Sequence, residues 1–150
     1  MYLSDSDGIH DLRWRTALAA MGWDVSLTVT DSQTPVIAGP ITTTLVESLA
    51  DYSNPIIGLS WGWDLHASEK CQSTQWLSTF SGLIVDSVPT MEIAIALGAS
   101  PDSIAMIPWG IDLNKFTPIP RGEKVDLSIL SLRAHEPLYR VDTILRAISH

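Results

Sequence analysis

Short apolar runs alternate along this chain with longer segments of helical character, and that alternation leaves few folds open. Apolar runs at residues 2–4, 25–30, 36–38, 56–59, 83–85, 104–107 and 127–130 are strand candidates. Between them, residues 10–21, 43–52, 74–80, 89–97 and 141–148 carry helix-like patterns. Strands that take turns with helices predict an α/β, Rossmann-like protein with a largely parallel sheet flanked by helices. Gly22 and Gly98 stand where two of those helices would end, since glycine accepts the left-handed conformation that closes a last turn.

Two irregularities qualify the pattern. The first run is short for a central strand, which usually spans about five or six residues, so the natural start is expected upstream. From Thr30 to Val36 the chain can reach roughly 20 Å at most, whereas a crossover between parallel neighbours takes about a dozen residues or more. Either the two runs form a hairpin around Asp31-Ser32-Gln33, or one is not a strand, or a strand-helix unit is missing between them. The last is the favoured expectation.

At 150 residues the chain holds one ordinary domain. Residues 113–124 contain Pro118, Pro120 and Gly122 among polar residues without periodicity and read as a linker. This divides the chain into a Rossmann-like domain at 1–112, the linker, and one strand-helix unit at 125–150 that cannot make a core alone.

The net charge is −8 and the sequence pI about 4.7, which disfavours nucleic acid as a partner, because phosphate contacts need clustered Lys and Arg. Cys71 is the single cysteine, so an internal disulfide is excluded. No apolar run approaches the roughly 18 residues of a membrane span, and the first residues do not read as a signal sequence. A cytoplasmic protein is expected.

Three loops follow strand ends, where open α/β sheets bind ligands. Ser4-Asp5-Ser6-Asp7-Gly8-Ile9-His10 opens a helix and offers small residues and free N–H groups to an anion or a sugar hydroxyl; alternatively Ser6 or Asp7 only caps that helix. Ser60-Trp61-Gly62-Trp63-Asp64-Leu65-His66 combines indoles, a glycine and an acid in a way that suits sugar recognition; alternatively a tryptophan plugs the core edge and Asp64 caps the next helix. Asp86-Ser87 reads as a cap, and Trp109-Gly110-Ile111-Asp112 as a turn that could line a cleft. Arg133 is the best candidate for phosphate, because guanidinium forks onto two oxygens; its alternative is an ion pair with Glu136. The four histidines, His10, His66, His135 and His150, show no ligand spacing, so no metal site and no cofactor are expected.

Taken in order, these pieces resemble the family 4 retaining glycosyltransferases, two-domain enzymes of the GT-B fold. The resemblance rests on Ser4-Asp5 with Ile9-His10-Asp11 and Arg13-Trp14, on Met21-Gly22-Trp23-Asp24-Val25, and on Ala38-Gly39-Pro40. It continues through Ser60-Trp61-Gly62, Asp86-Ser87, Leu97-Gly98, the run from Ile107 to Asp112 with Phe116 and Pro118, and Ser131-Leu132-Arg133 with Pro137, Tyr139 and Arg146-Ala147. It implies an acceptor-side domain at 1–112 and the start of a donor-binding domain at 125–150. A nucleotide sugar would be the donor and a sugar, lipid or small molecule the acceptor, with peripheral membrane contact an option.

The resemblance also implies residue roles. Gly8 and Arg133 would meet the donor, while Ser4, His10, Trp61, Gly62, Asp64 and Trp109 would line the sugar-binding cleft. The expected glutamates of the donor domain lie beyond residue 150, so no catalytic residue is assigned and the chain is expected to be inactive by itself. This chain departs from many relatives by having Asp7-Gly8 in place of two glycines, Trp61-Gly62 in place of His-Gly, and Leu138-Tyr139 where a lysine often stands. A sugar-nucleotide epimerase of the same architecture and a non-catalytic α/β binding module are the alternatives.

Overall fold

The computed structural model describes residues 1–25, 34–66, 77–118, 120, 133 and 135–149. Cys71, the strand expected at 127–130, most of the strand expected at 25–30 and the first three residues of the helix expected at 74–80 lie outside them. The chain divides into two compact units, Met1–Gly110 and Ile111–His150.

The first unit is an α/β, Rossmann-like domain. Its sheet contains β1 (Tyr2–Leu3), β2 (Val36–Ala38), β3 (Ile56–Leu59), β4 (Gly82–Val85) and β5 (Ile104–Met106), paired in that order. Every pairing is parallel, with Tyr2 opposite Ile37, Ile37 opposite Ile57, Leu59 opposite Ile84 and Ile84 opposite Ala105. Successive side chains point to opposite faces of a strand, so the apolar runs build two cores. Met1, Leu3, Val36, Ala38, Ile56, Leu83 and Val85 meet Leu45, Val46, Leu65 and Ala94 on one face. Tyr2 and Leu59 meet Leu18 and Trp61 on the other, with Ile37, Ile84, Trp14 and Trp109 packed around them.

The helices sort by face. Leu18 belongs to α1 (Ile9–Ala20), whereas Leu45, Leu65 and Ala94 belong to α2 (Thr43–Ser48), α3 (Trp63–His66) and α4 (Val88–Ala96). Right-handed crossovers that put α2 to α4 on one face carry the chain from β1 towards β5, so a helix on the opposite face must feed the other side of β1. The hydrogen bonds agree: Met1 and Leu3 face β2 through their carbonyls, while the Tyr2 N–H donates across the other edge to the Asp24 carbonyl at 3.0 Å. The chain that leaves α1 therefore meets β1 on the side away from β2. That answers half of the crossover problem, since Val36–Ala38 pairs with β1 itself; whether a unit is missing turns on residues 26–33, outside the described residues.

Gly22 at φ +80° and Gly98 at φ +104° follow α1 and α4 as the sequence predicts. The expected helix at 43–52 is shorter, because after Ser48 the chain turns through Leu49–Asp51. Two short elements had no periodic signal: the single turn of α3 and a 3-10 turn at Pro101–Ser103.

In the second unit Asp112 organises a turn, accepting the Asn114 N–H on Oδ1 at 2.9 Å and the Phe116 N–H on its carbonyl at 3.0 Å. A 3-10 turn at Pro137–Tyr139 precedes α5 (Val141–Ile148). There Val141, Ile144, Leu145 and Ile148 fall on one side at helical spacing, and an exposed Arg146–Asp142 pair at 2.7 Å lies four residues apart. Among the described residues no helix is long and apolar enough to cross a membrane.

Candidate functional site

The loops that leave β1, β3, β4 and β5 gather at one end of the sheet, as expected where parallel strands all point one way. Their chemistry divides into an inner layer that holds the loops and an outer layer that faces solvent.

Asp64 is the centre of the inner layer. It is only 2% exposed, and its oxygens accept hydrogen bonds from Ile41 N–H at 2.8 Å, Ser60 Oγ at 2.7 Å, Trp61 N–H at 3.1 Å and Leu65 N–H at 3.1 Å. Burial pushes its carboxyl above the ordinary range, against the pull of those donors. Asp64, itself within α3, ties the loop after β2 to the loop after β3. Beside it, the Thr42 hydroxyl caps α2 by accepting the Leu45 N–H at 3.2 Å and donates to Asp5 across from the β1 loop.

Trp61 is 6% exposed and belongs to the core beneath the site, whereas Trp63 is 48% exposed. The sequence put Trp61 among the cleft residues, but of the two indoles it is Trp63 that is open to solvent. Ser4 is buried and spends its hydroxyl on its own loop, donating to the Ser6 carbonyl at 3.2 Å and accepting the Ser6 N–H at 3.1 Å.

Asp86 is the centre of the outer layer. This half-buried carboxylate accepts from Thr90 Oγ1 at 2.7 Å and Ser87 Oγ at 3.2 Å on Oδ1, and from the Trp109 indole N–H at 3.1 Å on Oδ2. Partial burial alone would raise its pKa, but the bonds from Thr90, Trp109 and Ser87 outweigh it and hold the carboxyl below the ordinary value. Gly62, at φ +88°, passes so close that a Cβ there would stand 3.1 Å from Oδ2. His66, from α3, reaches the same network through Nε2 at 3.2 Å from Thr90 Oγ1.

His10 completes the cluster. Its ring lies 4.3 Å from that of Trp109 and 5.5 Å from that of Trp61. Burial, with Arg13 adding to it and Asp86 opposing, lowers the imidazole pKa, so the ring is neutral near pH 7. His10 Nδ1 and Trp61 Nε1 are buried and have no hydrogen-bond partner among the described residues.

No family model matches the chain, and no match was found among curated proteins or solved structures.

Of the residues singled out in the sequence, His10, Trp61, Gly62 and Trp109 come together. Gly8 stands apart from the ring cluster as the exposed N-cap of α1, with extended backbone and no side-chain cap. Arg133 belongs to the second unit, where its guanidinium carbon lies 4.9 Å from the centre of the Tyr139 ring. Reading Asp86-Ser87 as a cap was right for Ser87, whose hydroxyl accepts the Thr90 N–H. It missed Asp86. The available signal was its place after a buried strand, shared with the other loops. Among the described residues no group of three or more His, Cys, Asp or Glu side chains could hold a metal ion.

Under the outer layer, Arg15 donates through Nε to Asp11 at 2.6 Å and through Nη1 to the Val25 carbonyl at 2.8 Å, tying α1 to the chain that follows it. Burial first, and the Asp11 carboxylate second, drive the Tyr2 hydroxyl far above its ordinary pKa. Tyr2 is thus a neutral core residue.

Proposed function

We propose that this chain carries the acceptor-side domain of a retaining glycosyltransferase, one that moves a sugar from a nucleotide-activated donor to a hydroxyl-bearing acceptor in the cytoplasm. The observation that carries the reading is the outer cluster, in which an ionised carboxylate, a neutral imidazole and the Trp109 indole converge above buried Trp61 at the carboxyl ends of a parallel sheet. Carboxylates bond sugar hydroxyls, and aromatic rings pack on their C–H faces. The ordered resemblance to family 4 supplies the reaction, and the Rossmann-like sheet agrees with it.

On this reading His10, Gly62 and Trp109 line the acceptor side, with Ser4 and Asp64 holding their loops and Trp61 supporting the site from below. Arg133 contributes to the donor diphosphate as a fixed positive charge. Stabilising the departing diphosphate is the main catalytic demand, an electrostatic effect worth about 3 kcal/mol per well-placed donor.

The test is an assay of the complete reading frame with nucleotide sugars and simple glycosides, with products followed by NMR. A new glycosidic bond that keeps the donor's anomeric configuration is expected. Conversion of the nucleotide sugar into its epimer without transfer would replace this reading with the epimerase one.

A further inference from the structure

We propose that β5 is an interface between copies of this chain, in which two protomers pair their β5 edges antiparallel about a two-fold axis at Ala105 and join their sheets into one.

The burial of β5 departs from what an all-parallel sheet demands. Such a sheet is ordinarily covered on both faces, and β2, β3 and β4 are buried or half-buried at every position. In β5 only Ile104 is half-buried; Ala105 is exposed, Met106 is 45% exposed, and Ile107 just beyond is 47% exposed. Ile104 and Met106 lie beside Leu83 and Val85, on the face that α2 to α4 cover. Ala105 and Ile107 alternate onto the opposite face, where Ala105 lies beside half-buried Ile84. Exposed apolar surface thus wraps around this edge from one face to the other.

The backbone of the edge is open as well. Among the described residues β5 is the last strand of the sheet. The Ile107 N–H donates to the Val85 carbonyl at 2.8 Å. In a parallel ladder alternate residues turn their backbone groups to the same neighbour, so Ala105 also faces β4. The N–H and C=O groups of Ile104 and Met106 therefore point off the sheet. Exposed edges are commonly guarded by charge, proline or a bulge. Residues 104–107 carry neither charge nor proline, and β5 runs in regular register with β4.

A second copy fits this edge by symmetry. With Ala105 opposite its own counterpart, Ile104 of each protomer stands opposite Met106 of the other, as a pair that exchanges both N–H to carbonyl bonds. Every outward group of Ile104 and Met106 is then satisfied. Ala105 takes the close, non-hydrogen-bonded position, with Cα atoms about 4.5 Å apart. Charge agrees with the register. Each copy carries a net charge of −8, so a self-contact must keep acid away from acid, and here Asp102 of one protomer falls opposite Pro108 of the other. A basic peptide would be drawn by the overall charge, yet residues 104–107 offer it no carboxylate. The contact is small: a standard interface takes about 20 to 30 residues a side, more than this edge supplies, so the dimer is a weak one. Antiparallel pairing also sends the carboxyl ends of the two sheets in opposite directions, which leaves both candidate sites open.

The test is analytical ultracentrifugation of the 150-residue chain from about 10 μM to 1 mM, at low salt and at about 0.5 M salt. The mass is expected to rise with concentration towards that of two chains, and to do so more readily at high salt, which screens the repulsion between acidic copies. Ala105→Lys sets two ammonium groups side by side at the axis and is expected to weaken association at least about tenfold, with an unchanged circular dichroism spectrum as the folding control. After Cys71→Ser removes the single cysteine, Ala105→Cys is expected to form disulfide-linked dimers on mild oxidation, because a close cross-strand pair suits the bond. Asp102→Cys, out of register with itself, is expected to cross-link far more slowly.

A chain that stays monomeric up to about 1 mM would overturn the inference and leave the edge to another occupant. So would association that Ala105→Lys leaves unchanged, or cross-linking as fast through Asp102→Cys as through Ala105→Cys. The wild-type series decides the matter even where a variant fails to fold.

Discussion

The Trp109 indole N–H donates to Asp86 Oδ2 at 3.1 Å, joining the loop after β5 to the loop after β4 across 23 positions of sequence. Trp109→Phe keeps most of the ring and deletes the bond. The Asp86 carboxyl is then expected to titrate closer to its ordinary value, because one of the donors that holds it down is gone. The carboxylate is only half buried, so the stability loss is expected to be modest, about 1 kcal/mol. Carboxyl carbon NMR and urea unfolding measure the two effects; an unchanged Asp86 titration would count against the bond.

Asp64 carries a heavier structural load. Removing its side chain leaves the N–H groups of Ile41, Trp61 and Leu65 and the Ser60 hydroxyl without the carboxylate that gathers them. Asp64→Ala is expected to cost about 3 kcal/mol or more, and Ser60→Ala about 1 kcal/mol, since the latter deletes one donor and orphans less. Urea unfolding of the two variants tests the ranking. Equal losses would mean that Asp64 is not the hub.

How far the sequence reveals this arrangement depends on the range of the interaction involved. The strands at Val36–Ala38, Ile56–Leu59 and Gly82–Val85 announce themselves, because being buried on both faces demands consecutive apolar residues. Gly22 and Gly98 are legible for a local reason, the positive φ at a helix end. Asp64 and Asp86 look alike in sequence, each an acid after a buried strand, yet one is sealed by donors from the loop after β2 and the other is left half open. That difference is set by partners 23 residues away, Ile41 in one case and Trp109 in the other. The same holds for Trp61 and Trp63, two residues apart and on opposite sides of the solvent boundary.

His10 gives the domain a sign-definite response to acid. Its pKa is lowered in the folded state, so between that value and the ordinary one of 6.5 the unfolded chain binds more protons. Stability is full above 6.5, declines as the pH falls through the folded pKa, and stays low below it. His10→Gln keeps a polar side chain of similar reach and removes the titration. Between about pH 7 and pH 5, the variant is expected to lose less stability than the parent in matched urea melts; a parallel decline in both proteins would assign the effect to another group.

Gly39 and Gly8 are both conspicuous glycines in loops after strands, and the structure separates them. A Cβ at Gly39 would stand 2.2 Å from the Leu59 carbonyl oxygen, which is backbone of the neighbouring strand and cannot swing aside. A Cβ at Gly8 would meet the Ser6 hydroxyl oxygen at 3.6 Å, an ordinary contact, and its φ of −71° suits any residue. Gly39→Ala must therefore push β2 away from β3, at an expected cost of about 3 kcal/mol or more. A small domain has only about 5–15 kcal/mol in total to lose. Gly8→Ala is expected to cost about 1 kcal/mol, the usual effect of placing alanine at an N-cap. That contrast also isolates the donor role proposed for Gly8: a folded Gly8→Ala protein with weakened nucleotide-sugar binding would support close approach of the donor there, and unchanged binding would remove Gly8 from the donor site.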